Sequence, residues 1–195
     1  MKTFIVLTFI GILNLAYAAQ NSECNTGWST MVGFSASRFF EYKWYVTHIE
    51  KESNKTFCQT FDTSSSGSEY DIEFELDENG AKYPVSCDGR RERNNQLSFN
   101  CKKNGQNAFQ AEITVSDTDY NDYAAIFTCI TTADSKKYGN HLIVRREAGK
   151  EDIPVQIQFF TNRLNLGKCS DVTKTSKNIV DECIQKCHLL NKPTF

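Results

Sequence analysis

The stretch Lys43-Trp44-Tyr45-Val46-Thr47-His48-Ile49-Glu50 decides the fold. Aromatic and β-branched residues fill it, which suits a pleated, half-buried surface. Side chains alternate along an extended chain, so Trp44, Val46 and His48 share one face and Tyr45, Thr47 and Ile49 the other. The first face is expected to point into a barrel whose opening strand this is, with Trp44 at the floor and His48 near the open end.

Strand patterns then recur at short intervals over 55–62, 70–77, 81–87, 96–102, 107–117, 122–132 and 140–147. The clearest is 70–77, where Tyr70, Ile72, Phe74 and Leu76 alternate with Asp71, Glu73, Glu75 and Asp77. One face is apolar and the other wholly charged, as a sheet with one wet side requires. A Ser/Gly cluster from Thr63 to Ser68 reads as a loop, and Asn79-Gly80 and Asn104-Gly105 read as tight hairpins. Pro84 predicts an edge-like or bulged fourth strand. Eight antiparallel strands joined by short loops make an up-and-down meander that closes on itself around space for one small ligand. Before the barrel, 19–42 is irregular, with Trp28 and Phe39-Phe40 as lids or plugs at a barrel end. After it, 151–165 reads as a helix packed outside, and Lys177 to Leu190 as a second, short helix.

Lys2, the apolar run Phe4 to Leu15 and Ala16-Tyr17-Ala18 form a secretory leader, 1–18, too short to span a bilayer. Its removal leaves 21 of the 22 bases against 24 acids, a formal charge of −3, which argues against nucleic acid and against a basic membrane anchor. About 175 residues remain, enough for one domain with one core. The expected organisation is a barrel domain with its flanking helix over 19–169 and an extension over 170–195. All eight cysteines follow the leader and read as disulfides in an exported chain, with ~105 pairings open to them. Asn54-Lys55-Thr56 is a glycosylation sequon.

Nothing in the chain reads as an enzyme. Glycine-rich phosphate loops, paired histidines and a Gly-x-Ser-x-Gly elbow are absent, and His48, His141 and His188 fall on different elements. No catalytic residue, metal or cofactor is expected. The inward rows predict Phe57, Gln59, Phe61, Tyr70, Phe74, Phe99 and Phe109 as ligand contacts, or else as side chains that fill the barrel. Gln59 fits core filling poorly, because a buried amide needs partners. His48 reads either as a hydrogen-bonded rim residue or as a polar ligand contact. Loops at the open end offer Lys51, Lys55, Lys82, Lys102, Lys103, Lys136 and Lys137 against Glu50, Glu52, Asp77, Glu78 and Asp134, a slight excess that suits an anionic head group. Arg90, Arg91 and Arg93 lie at the other end.

Three stretches, Trp44-Tyr45-Val46-Thr47-His48, Thr118-Asp119-Tyr120-Asn121-Asp122-Tyr123-Ala124 and Arg145-Arg146, resemble the lipocalins, and among them the salivary lipocalins of blood-feeding triatomine bugs, the triabin, pallidipin and nitrophorin group. The likeness covers roughly residues 24 to 169. Alternating strands bring all three stretches to one closed end, where Arg146 is expected across the Trp44 indole. Tyr42 stands where lipocalins usually carry glycine. The resemblance implies disulfides Cys24 to Cys129, Cys58 to Cys169 and Cys87 to Cys101. Cys183 and Cys187 are then left to each other or to an intermolecular bridge. Haem-carrying members place their iron-binding histidine near Tyr70 to Phe74, where this chain has none. The function implied is a secreted, monomeric lipocalin that sequesters a small hydrophobic or amphiphilic mediator, such as an eicosanoid, ADP or a biogenic amine, and impairs platelet aggregation or haemostasis. The alternative implied is an inhibitor that binds a clotting protease through the outer barrel surface.

Overall fold

The computed structural model describes residues 24, 27–51, 58–78, 80–93 and 95–171. Eight strands, β1 (Trp44–Glu50), β2 (Thr60–Ser66), β3 (Glu69–Glu78), β4 (Ala81–Arg91), β5 (Leu97–Lys103), β6 (Gln106–Thr118), β7 (Tyr123–Thr132) and β8 (Lys137–Arg145), run in an antiparallel meander. β8 pairs back onto β1, and β1 meets β2 where Trp44 faces Phe61 and Tyr45 faces Thr60. The sheet is therefore a closed, eight-stranded antiparallel barrel, as the strand pattern predicts. Phe57, Asn54, Cys183, Cys187 and the expected second helix lie outside the described residues.

Alternation puts the apolar rows inside. Trp44, Val46, Tyr70, Ile72, Val85, Leu97, Phe99, Ile113, Val115, Ile126, Leu142 and Val144 form one buried cluster. A second cluster lies on the outer wall, where Tyr123, Ala125 and Ile143 pack under Ile157, Trp28, Ile153 and Leu166. β7 and β8 are thus buried on both faces along much of their length. The cover is a segment that contains a 3-10 turn (Val155–Ile157) running into a four-residue α-helix (Gln158–Thr161). The helix expected over 151–165 is correspondingly shorter, since Pro154 ends in extended geometry at its start.

Two further departures shape the seam between β1 and β2. β2 starts at Thr60 and includes the serine run: Ser64, Ser65 and Ser66 pair with Asp71, Tyr70 and Glu69 around a turn with Gly67 at φ 65°. Backbone ladder bonds suffice there without burial of the serines, so composition misreads the segment as a loop. Beyond the helix, β9 (Leu166–Lys168) pairs with β1 at His48, Ile49 and Glu50. Cys58–Cys169 ties the end of β9 to the approach to β2, and Cys24–Cys129 ties the amino-terminal arm to β7. Each such bridge typically contributes ~2–4 kcal/mol. Pro84 breaks no ladder, because its carbonyl accepts from Asn104 N at the point where β5 has already ended, and its missing N–H would have faced the same way.

Gly89 faces Phe99 across β4 and β5, and a Cβ at Gly89 would stand 2.1 Å from the Phe99 ring. The ring lies flat on the strand only because that Cβ is missing. Gly89→Ala is expected to lower stability by ~1–3 kcal/mol through overpacking, read as a shift in the urea midpoint with an unchanged slope.

Candidate functional site

The floor is assembled from three chain segments. Arg146 stacks on Trp44 with its guanidinium carbon 3.5 Å from the ring centroid. Its nitrogens donate to the carbonyls of Tyr120 (3.1 Å), Lys43 (3.1 Å) and Phe39 (3.0 Å), and Trp44 Nε1 donates to the same Phe39 oxygen (3.0 Å). Burial pulls the Arg146 pKa down to about 10, still well above neutrality. The Phe39 carbonyl ends a short helix, α1 (Ala36–Phe39), that carries Phe40 into the barrel against Tyr70 (5.0 Å) and Phe99 (5.8 Å). The 118–124 motif builds the adjoining turn. Asp119 Oδ1 accepts from the amides of Asn121, Asp122 and Tyr123, and Thr118 Oγ1 bridges Tyr120 N and Tyr123 O.

Above this floor the inward rows open. Tyr70 and Phe99 are buried against Phe40 and belong to the plug, so they line no accessible site. Phe61, Phe74 and Phe109 are only partly buried, as are Leu76 and Ile130, and Phe61 meets Phe74 edge to face at 5.5 Å. Gln59 carries its side chain on the inner row, since its carbonyl accepts from Val46 N, two residues up from the Phe61–Trp44 pair. Tyr83 and Tyr138 complete the inner rim by register, facing Leu76 and Ile130. Asn140, fully buried on the inner row of β8, accepts from Glu50 N and holds the end of β1; nothing in its sequence context marks it.

His48 does not face this interior. Val46 pairs with Val144, but His48 pairs with Ile143, so Thr47 is an extra residue and β1 carries a bulge. Beyond it the alternation inverts: Ile49 turns into the core and His48 turns out beneath the carboxy-terminal cover. Its Nδ1 contacts Thr47 Oγ1 at 3.1 Å, and Lys168, Glu151, Arg145 and Asp152 supply its charged surroundings. Burial lowers its pKa below 6.5, and Lys168 and Arg145 add to that effect against Glu151 and Asp152. Arg145, grouped in sequence with Arg146, is 1% exposed on this outer face. It pairs with both carboxylate oxygens of Asp122 and with Asp152, and Lys150 joins it on Asp122. That network fastens the cover to the barrel wall.

Most mouth lysines are engaged. Lys82 pairs with Glu75, Lys102 with Asp88, Lys103 with Glu78 and Lys136 with Asp134. The expected basic excess is thus largely neutralised on the walls and turns.

The family profile described as Triabin matches residues 19–174. The chain belongs to the triabin family. Procalin of Hospesneotomae protracta is 38% identical over 173 residues, 87% of this chain and 99% of procalin. Triabin of Meccus pallidipennis is 30% identical over 154 residues, 78% of this chain and 96% of triabin. Among solved structures, a leukotriene C4 complex of LTBP1 aligns with a TM-score of 0.59 at 26% identity, over 76% of this chain and 94% of that one. In this member of the triabin family, the three motif stretches are the pieces that seal the floor.

Arg146→Met keeps the stem but removes the donors to the Tyr120 and Lys43 carbonyls and leaves Phe39 O to Trp44 Nε1 alone, and is expected to cost ~1–3 kcal/mol in chemical denaturation. Arg146→Lys should recover less than half, because one ammonium cannot span the three acceptors. For His48 the folded pKa is depressed, so the unfolded chain binds the proton more readily and stability rises with pH. Stability should be full above about 6.5 and fall as pH drops below it. The urea midpoint measured from pH 7.5 to 5 should fall less in His48→Gln than in the parent chain; parallel profiles would contradict the assignment.

Proposed function

We propose that this chain is a secreted lipocalin that sequesters one small amphiphilic host mediator in the upper half of its barrel and so impairs platelet aggregation or haemostasis. One observation carries the reading: inward aromatic and aliphatic side chains remain partly accessible above a floor that is filled and sealed. Concave, mostly apolar sites with a few polar groups at the rim are the usual form of small-molecule receptors. The leukotriene C4 complex of LTBP1 supports an amphiphile of eicosanoid type over ADP or an amine. Secretion is supported by the leader and by three disulfides, which persist in an oxidising compartment.

A second reading rests on a different surface. Val155 and Phe159, 72% and 78% exposed, with Phe160 beside them, form an apolar patch on the outer cover, which suits capture of a clotting protease by the barrel wall. The two readings separate by mutation. Titration calorimetry of the mature protein with leukotriene C4 should give one-to-one binding that weakens roughly tenfold or more in Phe74→Ala and is unchanged in Phe159→Ser. Thrombin inhibition lost in Phe159→Ser, with no ligand heat in the parent chain, would favour the second reading instead.

A further inference from the structure

At the inner rim, one charged pair is built differently from the others. Lys103 faces Val85, and Val85 belongs to the buried inner cluster, so Lys103 lies on the inner face of β5. Glu78 shares the parity of Phe74 and Leu76 and lies on the inner row of β3. Between them Tyr83, the inner residue of β4 that faces Leu76, offers its ring to the Lys103 ammonium at 4.2 Å, and Lys103 Nζ reaches Glu78 Oε2 at 2.6 Å. The bridge therefore crosses β4 on the lumen side. By contrast, Lys82 and Lys102 pair with Glu75 and Asp88, whose register puts them on the outer wall, and Lys136 pairs within its own turn. The Lys103 side chain is 28% exposed, the least of the four lysines.

We infer that Lys103 is the residue that selects the ligand's head group, and that the head group is a carboxylate. This inference rests on the barrel reading above and deepens it. An ammonium donates three hydrogen bonds, and Glu78 takes one of them. The aromatic face of Tyr83 fixes the cation over the lumen at a partly desolvated point, where a charge-assisted bond is stronger than in water. Glu78 is the more exposed partner, sits at the end of β3 beside the Gly80 turn, and turns outward into water at little cost. A ligand carboxylate takes its place on Lys103, while the attached chain extends down past Leu76, Phe74, Phe61 and Phe109. An amine drawn to Glu78 would sit beside the Lys103 ammonium, which Tyr83 holds in place, and meet its like charge. The lumen thus favours a monocarboxylate with an apolar tail, discriminates against its neutral ester and rejects the corresponding amine.

The test uses the mature protein and three fluorescent probes of one chain length: dansylaminoundecanoic acid, its methyl ester, and the amine-terminated analogue. The acid should bind at least tenfold more tightly than the ester, and the amine most weakly. Lys103→Met should bring acid and ester to within about twofold of each other while leaving ester affinity in place. Glu78→Gln, on an exposed side chain, should tighten the acid several-fold and leave the ester unchanged, since it removes the competing carboxylate. Equal affinity of acid and ester for the parent chain, or a preference for the amine, overturns the inference and leaves the barrel reading standing. A preference for the acid that survives in Lys103→Met assigns the head group to another residue and overturns it too. Failure of all three probes to bind sinks both.

Discussion

Taking a guanidinium out of water is costly unless its donors find partners, and Arg146 finds them in the carbonyls of Phe39, Lys43 and Tyr120 while its plane covers Trp44. Those three oxygens belong to the helix that precedes the barrel, to the entry of the first strand and to the turn between the sixth and seventh. A single side chain at the end of β8 therefore fixes where the chain entering β1 meets the turn between β6 and β7. Because Phe39 is held, Phe40 enters the barrel; because Phe40 enters, Tyr70 and Phe99 are buried against it. The lower half becomes solid core, and only the rows above it remain accessible. The position of the accessible interior follows from the way the floor is closed.

The opposite wall is organised by one extra residue. Thr47 shifts the register of β1, and its hydroxyl donates to Ile143 O, so that His48 leaves the interior and Ile49 replaces it. The outer face of β8 and β1 then presents His141, Ile143, Arg145 and His48, a mixture that needs shielding from water. The segment from Lys150 to Lys168 provides it, with Ile153 and Ile157 over Ile143, and Asp152 on Arg145. The arm from Cys24 completes the cover, where Trp28 lies edge-on to His141 at 4.3 Å. Bulge, cover and two long-range disulfides are parts of one solution to closing a sheet whose first and last strands would otherwise be edges.

Period-two alternation made the strands legible, most plainly in β3, where every second side chain is charged. It also placed Gln59, Phe61, Phe74 and Phe109 on the inner face. What alternation does not carry is depth. Tyr70 and Phe74 share one strand and one face, yet the first packs against Phe40 and the second stays partly accessible, a difference set by a side chain some 30 residues earlier in the chain. His48 departs from simple alternation for a related reason, since a one-residue bulge inverts all that follows and leaves no mark in composition. The Ser64 to Ser66 strand and β9 escape notice because their pairing is almost wholly backbone. Arg145 and Arg146 look alike in sequence; their opposite roles, one inside the floor and one on the outer wall, come from strand parity at the end of β8.

The accessible interior lies above a sealed floor, and on the proposed function it is this interior that receives the ligand. Methyl-resolved nuclear magnetic resonance of the mature protein, titrated with leukotriene C4, tests it directly. Shifts should concentrate on Leu76, Val85 and Ile130, sparing Val115 and Val144 in the filled half and Val155 on the outer cover. Shifts confined to Val155 and its neighbours, or spread evenly over both halves of the barrel, would contradict it.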